Sequence, residues 1–353
     1  MSTSAHPSAP TILIVLIAGI GDLILASAAI RAIRNGHPDS EIHLLASTDA
    51  VPLAMNYPYI DHVHAFPIRE LRKSKAYLFD IIRIIRDLRG TAFDYLLNLY
   101  RVSSLAGSVK MGLLFSLLKA DKKVGHDRYG FGSFLTERVP AGTFTGRHVA
   151  EVMIEIAARA GGIPDGEGIE VFWNADIASR WEDFFVPLTG RVIVGINPGG
   201  KENFRWAPDR FASAAEEIIE RFNAAVILLG GPAEVPIASD IAGRIRADVF
   251  NLAGKTSVDA LPYIISRMDL LITNDSGPMH IAAATKTPLV ALFGPEDPKL
   301  FGPYTEPELY RVIQKDVPCR PCGEKKCLRP SCLDLITPEE VLEACVELLE
   351  GKS

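Results

Sequence analysis

The chain has 353 residues, 48% hydrophobic and 23% charged, which is the composition of an ordinary globular protein and long enough for two cores. Its 37 Lys and Arg stand against 43 Asp and Glu, a formal net charge of -6. That balance argues against a nucleic-acid partner, whose phosphates call for a broad basic surface, although local basic patches stay open.

The first apolar run, from Thr11 to Ile30, comes close to the roughly 20 residues a membrane span needs. Two features speak against a span or a signal peptide. The preceding "MSTSAHPSAP" holds no Lys or Arg, and Gly19, Gly21 and Asp22 interrupt the centre. "TILIVLI" therefore reads as a parallel strand buried on both faces and "DLILASAAIRAIRN" as the helix after it, in a cytoplasmic protein.

Strand and helix then alternate. "EIHLLAS" (41–47) and "DHVHAF" (61–66) read as strands, residues 70–90 as one helix ending at Gly90, and "FDYLLNLY" (93–100) as a strand. A helix through Leu118 and a strand near "KKVG" follow. Gly161 to Gly190, with Pro164, Gly166, Gly168 and Pro187, is the expected linker. The alternation restarts with strands in "RVIVGINPG" (191–199), "AAVILLGGP" (224–232), "DVFNLAG" (248–254), "DLLITNDSG" (269–277) and "PLVALFGP" (288–295). Helices fall at 208–222, about 234–246, from Val258 and from Pro278. This is an α/β chain of two Rossmann-like domains: 1–175, 188–335, and a C-terminal helix in 336–353 that could pack back towards the first. Ligands bind such sheets at the carboxyl ends of the strands, and a cleft between two halves is the expected site.

Candidate residues sit at those strand ends: Asn197, Gly199, Gly200, Lys201 and Arg205 in one loop, and Asp275, Ser276, Gly277 and His280 in another. Pro278 suits the first turn of a helix whose free N–H groups would attract phosphate. Each also has a plain structural reading. Asp22, Asp275 and Ser276 could simply cap helices, His280 could be packed, and Lys201 and Arg205 could be solvated charges. Gly19-Ile20-Gly21 is a weak dinucleotide signal, because Ile24 stands where the third glycine should be.

In combination, however, "ILIVLIAGIGDLILASAAIRAIRNGHPDSEIHLLA", "FDYLLNLY", "VGHDRYG", "INPGG-x4-RWAPDRFA", "VILLGGPAE", "NLAGKTSV" and "LLITNDSGPMHIAAATKTPLVALFGPEDPKLFGPY" resemble, in this order, the ADP-heptose:lipopolysaccharide heptosyltransferases, glycosyltransferase family 9. The resemblance covers nearly the whole chain and is most specific in the last block. It implies a GT-B fold, two Rossmann-like domains facing a central cleft, and an inverting transfer of heptose or a related sugar from an ADP-sugar to a lipopolysaccharide-core or other glycan acceptor. It also implies that no metal or other cofactor is needed for the transfer. By the same resemblance Asp22 is the base that deprotonates the acceptor hydroxyl, a role compatible with capping, since a helix N-terminus favours an anion.

The family's donor site maps onto the second half. The resemblance puts Ser276, Gly277 and His280 at the diphosphate or the sugar, Asp275 at sugar hydroxyls or the loop, Glu234 near the nucleoside, and Gly254 to Thr256 at the base. One departure stands out: the family's frequent Lys two places before Trp206 is Phe204 here, so Arg205 or Lys201 must meet the charge on the leaving diphosphate, with Arg205 preferred.

Cys319, Cys322, Cys327 and Cys332 form a C-x2-C-x4-C-x4-C run that suggests a structural zinc or iron–sulfur site without a catalytic role, whereas Cys345 reads as buried. "KADKKVGHDRYG", with Lys122, Lys123 and Arg128, could receive an acidic, lipid-linked oligosaccharide, or be a solvated loop. A functional patch would place the enzyme peripherally on the inner face of the inner membrane. Two alternatives remain at this level. A dehydrogenase using NAD lacks an acidic ribose ligand in "LLAST". A non-catalytic sugar- or metal-binding relative would tolerate loss of Asp22.

Overall fold

The computed structural model describes residues 9–71, 73–140, 142, 146–200, 204–247, 249–320, 327 and 331–351. The chain divides into two compact units, Met1–Glu167 and Gly168–Ser353, so the change of unit falls inside the expected linker.

The first unit runs β1 (Thr11–Leu16), α1 (Ile20–Gly36), β2 (Glu41–Ser47), α2 (Val51–Ala54), β3 (His62–Phe66), α3 (Ile68–Leu71), α4 (Tyr77–Arg89), β4 (Phe93–Asn98), α5 (Leu105–Leu117), β5 (Ala120–Asp127), β6 (Glu137–Pro140) and α6 (Val149–Arg159). Its six strands lie in the order β3-β2-β1-β4-β5-β6, every neighbouring pair parallel. The opening apolar run is thereby accounted for. β1 is sandwiched between two strands, and every residue of α1 from Leu23 to Ile33 is buried. α6 packs on α1, and the turn that follows α6 comes so near the end of α1 that a Cβ on Gly36 would stand 2.0 Å from the Gly161 carbonyl oxygen. Among the described residues no helix is long and apolar enough to cross a membrane.

The helix expected over 70–90 is in fact two, α3 and α4. The apolar spacing lapses across Arg72-Lys73-Ser74-Lys75, which offers nothing to bury, and α3 closes when Lys73 and Ser74 donate to the Glu70 carbonyl.

The second unit runs α7 (Ala175–Phe185), β7 (Ile193–Asn197), α8 (Pro208–Phe222), β8 (Ala225–Leu228), α9 (Val235–Arg244), β9 (Val249–Asn251), α10 (Leu261–Ser266), β10 (Leu270–Asn274), α11 (Gly277–Ala284), β11 (Leu289–Phe293), α12 (Pro298–Phe301), β12 (Tyr310–Gln314), α13 (Ser331–Asp334) and α14 (Pro338–Glu350). Its sheet is again parallel, in the order β12-β11-β10-β7-β8-β9. α7 lies within the expected linker, capped by Asn174, whose Oδ1 accepts from the Ile177 N–H at 2.9 Å. α14 buries Val341, Ala344, Cys345 and Leu348 in the core of this unit, where Trp206 Nε1 and Arg210 Nη1 both donate to the Ile336 carbonyl just before it.

Each sheet thus has the doubly wound order 3-2-1-4-5-6. The order reverses between β1 and β4 in the first unit and between β7 and β10 in the second, which marks the carboxyl ends of those strands as the ligand-binding positions.

Candidate functional site

In the first unit the β1–α1 turn presents Asp22. Asp22 is the third residue of α1 and its Oδ2 accepts from the backbone N–H of Gly19, the residue that caps the helix, at 3.3 Å. The carboxylate therefore closes the turn from a half-exposed position at the switch point. Arg69, from α3, reaches over the same turn: a Cβ on Gly19 would stand 3.4 Å from its Nη2 and 3.9 Å from Asp22 Oδ2. Arg69 Nη1 also pairs with Asp49, and Ser47, the last residue of β2, donates its hydroxyl to the Ala18 carbonyl. Beside β1, Asn98 ends β4 fully buried, its amide nitrogen and oxygen both without a hydrogen-bond partner among the described residues.

The second unit repeats the pattern with a connected network. Asn197, the last residue of β7, donates to Thr273 Oγ1 at 3.0 Å and to Ser276 Oγ at 2.9 Å. Ser276 precedes α11 but does not cap it with its side chain, because its hydroxyl is turned to the Asn274 carbonyl at 3.1 Å. Gly277 opens that helix and His280 is buried within it. Asn274, the last residue of β10, is fully buried. Its Nδ2 donates to the carbonyls of Pro198 and Gly199 at 3.0 and 3.1 Å, and its Oδ1 accepts from the Trp206 N–H at 3.0 Å. One side chain so ties Pro198 and Gly199, just after β7, to Trp206, just before α8.

A second bridge crosses from that loop to the one after β8. Arg205 Nε donates to the Gly200 carbonyl at 2.9 Å, and its Nη2 pairs with Glu234 Oε1 at 3.0 Å. Glu234 Oε2 accepts from the Gly231 N–H at 3.0 Å. The approach is close, since a Cβ on Gly199 would stand 3.1 Å from Glu234 Cγ. Gly254 donates to the Gly230 carbonyl at 2.9 Å, which sets the turn that carries Thr256 beside the same loop. Gly199, Gly200, Arg205, Glu234, Asp275, Ser276 and Gly277 are therefore brought to one end of one sheet, with the Thr256 turn alongside. Lys201 lies outside the described residues.

The basic residues expected for an acceptor are not brought together. Lys122 and Lys123 lie near the start of β5, where Lys122 Nζ stands 3.4 Å from Glu137 Oε1 and Lys123 Nζ donates to the Phe115 carbonyl at 2.7 Å. Arg128 follows the other end of that strand and stacks over the Tyr129 ring at 4.9 Å. Of the cysteine run, Cys319, Cys327 and Cys332 are described and Cys322 is not. Burial pushes the Cys332 thiol up, and the nearby Cys319 and Cys327 add to the rise.

Arg69, Asn98 and Asn274 were not among the residues expected from the sequence. The signal for the two asparagines was a polar residue closing an otherwise apolar, buried strand, in "LLN" and "LITN". Asn197, the last residue of β7, fits the same rule.

A family model described as glycosyltransferase family 9 (heptosyltransferase) matches residues 81–332. Lipopolysaccharide heptosyltransferase 3 of Escherichia coli (strain K12) is 26% identical over 346 residues, which cover 93% of this chain and 95% of that protein. The glycosyl transferase family 9 structure from Veillonella parvula DSM 2008 superposes with a TM-score of 0.80 at 22% identity, covering 99% of this chain and 100% of that one. The E. coli heptosyltransferase WaaC with ADP-2-deoxy-2-fluoro heptose gives 0.72 at 16% identity, covering 97% and 100%. At these identities the solved structures establish the fold, and they bear out the expectation of a GT-B protein built from two Rossmann-like units.

Proposed function

The chain belongs to glycosyltransferase family 9, the heptosyltransferases, and from that premise we propose that it moves a heptose from ADP-heptose onto a lipopolysaccharide-core acceptor with inversion at the anomeric carbon. The observation that carries this reading is the placement of Asp22 at the switch point of one sheet and of the Asn197–Ser276 and Arg205–Glu234 groups at the switch point of the other. In the reaction the acceptor oxygen attacks the anomeric carbon, its proton passes to Asp22, and the bond from that carbon to the diphosphate breaks as ADP leaves with the electron pair. Negative charge then gathers on the diphosphate. The Arg205 guanidinium and the N-terminus of α11 are the groups suited to offset it. Glu234 holds Arg205 in place, Asn274 shapes the loop, and the Thr256 turn is suited to the base.

The choice of donor follows the family and the ADP-sugar carried by the similar E. coli structure. Its test is a thermal-shift panel of nucleotide sugars, since a ligand bound only by the folded chain raises apparent stability. ADP-heptose should raise the melting temperature above the other nucleotide sugars and release ADP when a truncated lipopolysaccharide core is added. No shift and no ADP release with ADP-heptose would overturn the reading.

A peripheral place on the membrane is supported by two helices of one core face. α4 and α5 both pack into the first unit's cluster, while Leu78, Phe79 and Ile82 on α4 and Leu105, Val109 and Leu113 on α5 stand exposed. The cysteine run is read as a structural site for a thiophilic ion, zinc or an iron–sulfur centre, because of its C-x2-C-x4-C-x4-C spacing, with Cys319 and Cys327 both adding to the rise of the Cys332 thiol. Metal analysis of the untagged protein beside Cys319→Ser checks it.

A further inference from the structure

The first sheet carries a cluster that sugar transfer does not use. β2 and β3 pair in parallel with His43 opposite His62 and Leu45 opposite His64. The two-residue period of a strand then puts Glu41, His43, His62 and His64 on one face of the sheet. The rings of His43 and His62 are 4.5 Å apart, and those of His43 and His64 are 5.3 Å apart and nearly parallel. Glu41 Oε1 stands 2.8 Å from His62 Nε2 and 3.3 Å from His43 Nε2. These three ligand atoms all lie within 4.8 Å of one another.

His43 is the informative member. It is only 7% exposed, and its Nε2 is buried with no hydrogen bond among the described residues, although the Glu41 carboxylate is near. Its other ring nitrogen, Nδ1, lies 3.0 Å from His64 Nε2. A hydrogen bond at Nδ1 fixes the ring and aims the Nε2 lone pair at the space shared with Glu41 and His62. This is the way metal-bound histidines are held from behind. A tetrahedral ion with bonds of about 2.0–2.2 Å keeps its ligand atoms roughly 3.3–3.6 Å apart, a spacing these atoms reach by small rotations of the half-exposed Glu41 and His62 side chains.

We propose that Glu41, His43 and His62 form a binding site for one divalent transition-metal ion of the zinc class, with His64 orienting His43 and water completing the coordination. Two imidazoles and a carboxylate suit zinc, and the carboxylate offsets part of the ion's charge. Glu41 begins β2, whereas Ser47, beside the Asp22 turn, ends it, so the ion lies about 20 Å along the strand from the transfer site. It would tie the edge strand β3 to β2 and stabilise the folded unit, with no part in the transfer chemistry.

The test uses the full, untagged chain after chelation, titrated with ZnCl2 by calorimetry and followed by melting temperature, beside Glu41→Gln, His62→Ala and their double variant. Both side chains are about half exposed, so the variants should fold. The wild type should take up one more equivalent of zinc than the double variant, and each single change should weaken that uptake at least tenfold. Only the wild type should gain melting temperature from this extra equivalent. Replacing zinc by CoCl2 separates the site from the cysteine run, because thiolate ligands give intense near-ultraviolet charge-transfer bands and nitrogen and oxygen ligands do not. The double variant should lose the weak visible bands and keep any thiolate bands. Equal zinc uptake by wild type and double variant, or none by either, would overturn the proposal.

Discussion

At the scale of single residues, Asp22 closes a helix turn with the carboxylate proposed above as the base, and substitution can separate the two duties. Asn keeps an acceptor for the Gly19 N–H, so Asp22→Asn should fold and bind donor nearly as the wild type does, while turnover falls roughly 10²–10⁴-fold. Turnover measured beside donor affinity and melting temperature decides it; near-normal turnover would leave Asp22 a cap alone. Arg205→Ala should lower kcat/KM about 10²–10³-fold through the leaving diphosphate. Glu234→Gln should do less, because it loosens Arg205 without removing its charge. His126 sets a different kind of dependence. It is buried, and that burial pulls its pKa down from the ordinary 6.5 to about 4. Between those values the unfolded chain binds a proton that the folded one refuses. Stability is therefore full above pH 6.5 and declines towards pH 4, by up to about 3 kcal/mol. Urea midpoints across that range should fall more steeply for the wild type than for His126→Gln.

At the scale of elements, α1 is held at its far end by an ion pair that its apolar pattern does not announce. Arg31, buried on that helix, donates to Asp165 through Nε at 2.7 Å and Nη2 at 2.8 Å. The guanidinium holds the Asp165 carboxyl well below the usual carboxylate range. Its contribution is present above the unfolded carboxylate's value and is lost as pH falls through the folded one. Asp165→Asn removes the negative charge opposite the buried Arg31 and should cost roughly 2–3 kcal/mol, less than a fully buried pair because Asp165 is one-third exposed. Denaturant unfolding measures it, and a cost below about 0.5 kcal/mol would make the pair ornamental. The exposed apolar faces of α4 and α5 bear on partners instead. Phe79→Asp with Val109→Asp should abolish sedimentation with anionic vesicles and leave transfer to a soluble, delipidated acceptor intact; unchanged sedimentation would remove the membrane reading.

At the scale of the whole molecule, two sheets share one strand order, and three of their four switch-point strands, β4, β7 and β10, close with an asparagine. Much of that was legible in the sequence. β2 and α8 fall on the expected bounds, and β1, β7, β10 and β11 fall within theirs, because strands buried on both faces read as uninterrupted apolar runs. β12 was missed, since it is partly exposed along its length at the sheet edge and carries Arg311 and Gln314 among its apolar residues. Asp22, Ser276 and Gly277 were legible because they sit where a strand hands over to a helix. By itself, then, the sequence determined the fold class and the two units through local periodicity, and the family through motifs that resemble its members'; the base role of Asp22 was implied by that resemblance alone and is a proposal. Only the tertiary structure decided that Arg205 meets Glu234, 29 residues on. Likewise it alone showed that Asn274 shapes a loop about 75 residues earlier, and that three histidines and Glu41 share one face of two strands. Those pairings come from sheet register and from crossovers between distant segments, which the spacing of residues along the chain does not encode.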